Sequence, residues 1–196
     1  MDKLYNKFIK TFPAEEKLKK ATKKLINKYE KLLPETIISL WKENGFGNYG
    51  FGLIKVINPD EYISYFKLLL KDEEVIPFLM DSFGNIFYVK LNDETVYVLN
   101  TDFAFIDMCQ TNFKNFIEFL TSEIFIKNYL FKDIFDEMLI RGVIPENNEI
   151  LIYNPPYILG GKRDINCIIK KDVIKYFDFI IPILCMIGVQ NRIARR

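Results

Sequence analysis

A chain of 196 residues, 49% hydrophobic and 27% charged, can bury a core without disulfide or metal staples and has the composition of a soluble globular protein. Its formal charge of +1 excludes a surface that is basic or acidic throughout, and it contains no histidine, the commonest general base and metal ligand. Ser–His and Cys–His nucleophile pairs therefore cannot be assembled within it.

The near-neutral total hides a segregation of charge. Residues 1–34 carry ten lysines against four acids, residues 58–137 six lysines against fifteen acids, and residues 141–196 nine lysines or arginines against five acids. Such a split creates separate surface fields of opposite sign. Cys109, Cys167 and Cys185 are odd in number and contain no C-x-x-C pair, so three buried thiols in a reducing compartment are expected rather than a disulfide scaffold or thiolate zinc site. Residues 1–10 lack the apolar run of a secretory leader. Residues 177–189 are the most apolar stretch, but Asp178 and Pro182 interrupt them and they fall short of the roughly 20 residues of a membrane span. The expectation is a cytoplasmic protein without a membrane segment, its 18 Phe and 11 Tyr packed in an aromatic core.

In chain order, Leu18, Ala21, Leu25, Tyr29 and Leu32 recur every three or four residues and predict one amphipathic helix over 14–33, with Lys17, Lys20, Lys24 and Lys28 on its wet side. A short helix follows, opened by Pro34 and closed by Gly45, with Ile37, Ile38, Leu40 and Trp41 on one side. Residues 51–57 read as a strand, and Asn58-Pro59 starts a helix whose inner face is Tyr62, Phe66, Leu69 and Leu70. Apolar runs at 76–80 and 86–91 flank Asp81-Ser82-Phe83-Gly84-Asn85 and predict a hairpin, which 95–99 and 103–108 extend. Helices are expected over 112–121, 123–140 and from 170 to about 187, with Pro182 as a bend in the last. A short strand at 149–153 and turns at Pro155-Pro156 and Gly160-Gly161 lie between them. Helices first and then an antiparallel meander point to an α+β fold.

Three chemistries can be weighed on these elements. Asp133, Asp136 and Glu137 share a helix face at a spacing able to hold a hard cation, although solvated surface acids account for them equally. Gly45, Gly47, Gly50 and Gly52 follow a helix and precede a strand, the reverse of a phosphate-binding loop, and Gly160-Gly161-Lys162-Arg163 lacks the Walker spacing. The lysine-rich helix, with Arg192, Arg195 and Arg196 at the other end of the chain, offers a basic face for nucleic-acid phosphates. No catalytic residue, cofactor or metal site is expected.

The block running from Leu33-Pro34 through Trp41, Asn44-Gly45 and Gly50-Phe51-Gly52 to Asn58-Pro59 resembles the GAD-like domain of bacterial immunity proteins. Downstream, Pro156-Tyr157-Ile158-Leu159-Gly160-Gly161 resembles the Leu-Gly-Gly segment in the C-terminal domain of the type VI secretion DNase-immunity family, which carries both modules in this order. Pro34, Trp41, Gly45, Gly50, Pro59, Gly84, Leu159, Gly160 and Gly161 are the structural positions of the two modules. Where related sequences have small residues before Leu-Gly-Gly, this chain has Pro156-Tyr157-Ile158, a bulkier turn. The resemblance implies a GAD-like α+β module over residues 1–110 and a smaller, mainly helical module over 111–196 packed closely against it. It also implies a non-enzymatic antidote that occludes a cognate secreted toxin, a DNase of a type VI or related system. A nuclease presents a basic surface, so Asp72, Glu73, Glu74, Asp93 and Glu94, in the acidic middle of the chain, are the candidate toxin-facing residues. The alternative reading is a nucleic-acid-binding regulator using the lysine-rich helix.

Overall fold

The computed structural model describes residues 3–71, 73–91 and 93–191. Asp72, Arg192, Arg195 and Arg196 lie outside the described residues. Helix α1 (Lys3–Thr11) buries Tyr5 and Phe8, and Phe12 continues that face beyond its end. The expected single helix over 14–33 does not form. Residues 12–22 instead run extended along the sheet edge, with Ala14 bridged to Tyr49 and Lys19 to Phe46. Only α2 (Lys23–Tyr29) is helical, beginning where the Thr22 side chain accepts the Leu25 N–H. A local helical period has lost to pairing with a distant edge. The basic helix therefore has no continuous lysine face: Lys17 sits at a positive φ of 62°, and Lys28 is ion-paired to Asp60.

Helix α3 (Glu35–Glu43) starts one residue after Pro34, which caps it, and sinks Ile37, Leu40 and Trp41 completely. Gly45, at φ +116°, passes against the Lys19 backbone too closely to admit a side chain. The strand expected over 51–57 is present but shorter, as β2 (Ile54–Val56), and it pairs with β1 (Gly47–Tyr49) across a turn through Gly50. Asn58 caps α4 (Pro59–Leu70) with Pro59 as its first residue. The meander then follows as expected, through β3 (Val75–Asp81), β4 (Ile86–Lys90), β5 (Val96–Asn100) and β6 (Phe105–Gln110). Each strand pairs antiparallel with the next.

Beyond the meander come α5 (Phe113–Leu120), α6 (Glu123–Asn128) and α7 (Lys132–Ile140). The helix expected over 123–140 is thus broken. Phe131 takes a left-handed conformation, φ 50°, that sets its ring 5.8 Å from that of Phe83. Strand β7 (Glu149–Tyr153) pairs with β8 (Ile168–Asp172), where a helix was expected, before α8 (Val173–Ile187). Finally β9 (Gln190–Asn191) adds parallel to β6.

Side-chain alternation along the meander builds two cores. Phe87, Val89 and Val96 face a core shared with α1–α3 and α5–α7, while Ile86, Tyr88, Tyr97 and Leu99 face one shared with α4 and α8. Both family-like regions therefore contribute helices to both cores. Among the described residues no helix is long and apolar enough to cross a membrane. Of the three thiols expected to be buried, Cys109 and Cys167 are half-buried and Cys185 is exposed.

A buried polar knot joins the first hairpin to the chain around residue 146. Asn48, 1% exposed, donates through Nδ2 to the Pro145 carbonyl (3.0 Å) and to Glu15 (3.1 Å), and its backbone N–H donates to Asn147 Oδ1 (2.6 Å). Its Oδ1 accepts from Lys55 Nζ, which also donates to the Glu146 carbonyl (2.9 Å). Lys55 is 2% exposed, and burial pulls its ammonium down from 10.5 to about 8, against the opposing fields of Glu15 and Glu149. Below pH 8 this lysine is charged in both folded and unfolded chains, and the burial penalty is fully present. Between 8 and 10.5 the unfolded chain binds the extra proton, so stability rises with pH, by about 3 kcal/mol in total for a shift of this size. Denaturation curves of the wild type should therefore show stability climbing from pH 8 to about 9, where the thiol of Cys109, raised by burial from 9.0 to about 12, begins to offset the gain. Lys55→Met should flatten that climb. Above pH 10 the trend should reverse, since burial raises the phenols of Tyr49, Tyr62 and Tyr176.

Candidate partner-binding site

Most residues of the two resemblance motifs hold packing or turn positions. Trp41 is fully buried, 5.8 Å from the Tyr29 ring in an edge-on contact. Gly50 packs on Phe12, and Gly84 turns the β3–β4 hairpin with Ile150 of β7 against it. The Pro156-to-Gly161 turn docks on the β5–β6 connection: the Tyr157 and Ile158 N–H groups donate to Asp102 at Oδ1 and at its carbonyl, 2.9 and 3.2 Å. The bulky Tyr157 fills space on Phe103, ring centroids 4.7 Å apart. Leu159 is 42% exposed. Gly161 is required sterically, because a Cβ there would fall inside the Pro155 carbonyl oxygen, whereas Gly160 at φ +85° looks into open space.

The four described acids of the candidate set gather at one end of the sheet. Glu73 and Glu74 precede β3, and Asp93 and Glu94 lie in the adjoining β4–β5 turn, tied by the Leu91 N–H to the Glu74 carbonyl at 2.8 Å. They are interleaved with cations. Glu73 pairs with Lys90 at 2.8 Å, and Lys67 and Lys71 line the same groove as Glu73 and Glu74. Asp93 is also a turn anchor, accepting from the Thr95 N–H and the Tyr97 hydroxyl. Asp133, Asp136 and Glu137 are each drawn to a base, Lys127, Lys132 and Arg141 respectively.

A better-formed concavity lies toward the opposite end, at the seam between the sheet and α5–α7. Its volume is about 420 Å³. Phe87, Val98 and Asp107 rise from the strands, and Phe119, Tyr129 and Phe131 close it from the helical side. No lysine or arginine stands among the described residues lining it. At its deep end Asp81, 1% exposed, accepts the N–H groups of Phe83 and Asn85 (both 2.9 Å) and Asn85 Nδ2 (2.7 Å). Burial pushes this carboxyl up to about 6 in spite of those three bonds. Asn85 is 5% exposed and its Oδ1 has no hydrogen-bond partner among the described residues.

Asn85, Asn100 and Phe131 also wall a second cavity of about 20 Å³ behind the groove. There the Arg163 guanidinium lies over the rings of Phe103 (5.0 Å) and Phe131 (5.2 Å). Asp102 faces the same space, its Oδ2 without a hydrogen-bond partner among the described residues. Its carboxyl is raised by burial, against the pull of the Tyr157 N–H and the Arg163 charge. Sequence reasoning missed this site. The available signal was polar residues placed within or at the ends of otherwise apolar strands: Asp81, Asn85, Asn100 and Asp107.

Residues 3–101 match the family described as GAD-like domain, and residues 110–183 match that described as T6SS immunity protein Tdi1, C-terminal. The fold is similar to the crystal structure of Atu4351 from Agrobacterium tumefaciens, with a TM-score of 0.71 and 18% identity over 94% of this chain and 89% of that one. No curated protein matches the chain.

The two glycines of the docking turn should separate steric from conformational demand. Gly161→Ala must displace the Pro155 carbonyl and should lower stability by roughly 2 kcal/mol or more, with faster proteolysis around residues 157–164. Gly160→Ala meets nothing and should cost only about 1 kcal/mol, from left-handed strain. Thermal denaturation and limited trypsin digestion would check both.

Proposed function

We propose, on the premise that this chain belongs to the GAD-like domain family and carries the Tdi1-type C-terminal immunity module, that it is an immunity protein which neutralises a cognate secreted toxin by stoichiometric binding. The observation that carries the reading is the pair of modules, in order, on one chain. The toxin we infer is a nuclease of a type VI or related system, blocked in the cytoplasm by occlusion of its active site or substrate surface. The chain contributes no chemistry of its own. Glu73, Glu74, Asp93 and Glu94, with Asp72, steer the encounter with the basic toxin, and apolar or aromatic anchors hold the complex. The nucleic-acid alternative loses support, because its basic helix is broken at residues 12–22.

Co-expression with the product of the neighbouring gene tests the proposal. Survival, intact chromosomal DNA and a co-purifying complex are expected when this chain is present, and death with DNA degradation when it is omitted. A toxic neighbour that is neither rescued nor bound would overturn the pairing and bring duplex-DNA binding to the front.

A further inference from the structure

The small cavity behind the groove gathers three polar groups that the rest of the chain leaves unspent. Asn85 is 5% exposed, and its Nδ2 donates to Asp81 Oδ2 at 2.7 Å. That bond fixes which end of the amide is which, because a carboxylate oxygen accepts from the nitrogen. Asp81 lines the groove and not this cavity, so the amide oxygen is the end left for the cavity. It has no hydrogen-bond partner among the described residues. Asp102 spends Oδ1 on the Tyr157 N–H at 2.9 Å, and its buried Oδ2 is unpartnered among the same residues. Two orphaned acceptors on one small cavity cost stability unless a donor serves both.

The third group is itself a donor. Arg163 lines the same cavity, its guanidinium held over Phe103 and Phe131 at 5.0 and 5.2 Å. It makes no hydrogen bond or ion pair among the described residues, although its charge pulls on the Asp102 carboxyl.

Size and donor count together select the occupant. A volume of about 20 Å³ admits a single water, which needs roughly 10–15 Å³ of such space, and nothing larger. A monovalent cation would answer the two acceptors and then face the Arg163 charge. A halide would suit Arg163 and be repelled by Asp102. Water both donates twice and accepts. We propose that this cavity binds one water molecule, which donates to Asn85 Oδ1 and Asp102 Oδ2 and accepts an Arg163 N–H. Three bonds are the usual complement of a buried water. The bridge joins Asn85, in the region that matches the GAD-like domain, to Arg163, in the region that matches the C-terminal immunity module. The docking turn is thereby tied to Asp102 twice, directly by the Tyr157 and Ile158 N–H groups and through water by Arg163. Burial raises the Asp102 carboxyl, and a donor at Oδ2 offsets part of that cost.

A high-resolution crystal structure of the full chain tests the site. One density peak is expected about 2.7–3.2 Å from Asn85 Oδ1, Asp102 Oδ2 and an Arg163 nitrogen. Crystals soaked in rubidium chloride should give no anomalous signal there. Arg163 is exposed, and Arg163→Met keeps an apolar stem across both rings, so the fold should persist. With one of three bonds removed, the water should exchange about tenfold faster, read from the temperature dependence of oxygen-17 relaxation dispersion. No peak in the wild type, a rubidium signal, or a peak beyond reach of either acceptor would overturn the site. So would equal exchange in wild type and Arg163→Met. None of these outcomes bears on the immunity reading, because the site involves no partner.

Discussion

The fold depends on how one buried ammonium is satisfied. Lys55 sits in β2 between Ile54 and Val56, all three buried, where an unpaired charge would be intolerable. Asn48, its register partner on β1, supplies one acceptor, and the Glu146 carbonyl supplies another. Neither is enough alone. The same Asn48 amide then turns its two N–H groups toward Glu15 and Pro145, so a single side chain binds the N-terminal extension, the first hairpin and the loop before β7. Removing Asn48 or Lys55 leaves the other buried without its partner, which makes this knot cooperative rather than decorative.

Its consequence is a molecule whose two family-like regions do not stand side by side. Once the loop at 145–147 is fixed, β7 runs past the β3–β4 hairpin, with the Leu151 N–H on the Ser82 carbonyl at 2.8 Å. Ile150 then presses on Gly84, and α8 lands beside α4 on the far face of the sheet, the Tyr62 and Phe177 rings 5.9 Å apart. Helices α5–α7 stay on the near face. The sheet of the first region is therefore clamped between helices from both, and the docking turn at 156–161 closes on Asp102 at one end. The seam groove lies on the near face, between residues of β4–β6 and residues Phe119, Phe125, Asn128, Tyr129 and Phe131 of the helical side.

For a protein proposed to work by binding, such an arrangement has a physical logic. Affinity in protein complexes concentrates in a few desolvated anchors, whereas dispersed surface charge governs encounter rate. The acids near Glu73 and Asp93 are solvated and half-neutralised by Lys90, which suits the second role.

Much of this was legible in the chain itself. The absence of histidine bounded the chemistry. Asn58-Pro59 and the Asp81-to-Asn85 turn each place an element boundary by local backbone chemistry, and both stand in the structure. Trp41 and its neighbours declared a buried helix face by spacing. What failed was every feature set by residues far apart in sequence. The period of residues 14–33 is a genuine helical signal, overridden because backbone groups at 14 and 19 gain partners on Tyr49 and Phe46. Strand β8 carries the charged run Lys170-Lys171-Asp172 and exists because β7 offers it a ladder. Phe131 breaks a helix that local propensity would continue, because its ring has Phe83 and Arg163 to meet. The groove is the same case: Asp81, Asn85 and Asp107 show along the chain only as polar residues in or beside apolar strands, and they line one concavity only when the sheet and the helices from another region close around them. Local propensity and turn chemistry are properties of neighbouring residues and can be read in order; satisfaction of buried polar groups is decided by what tertiary packing brings within reach.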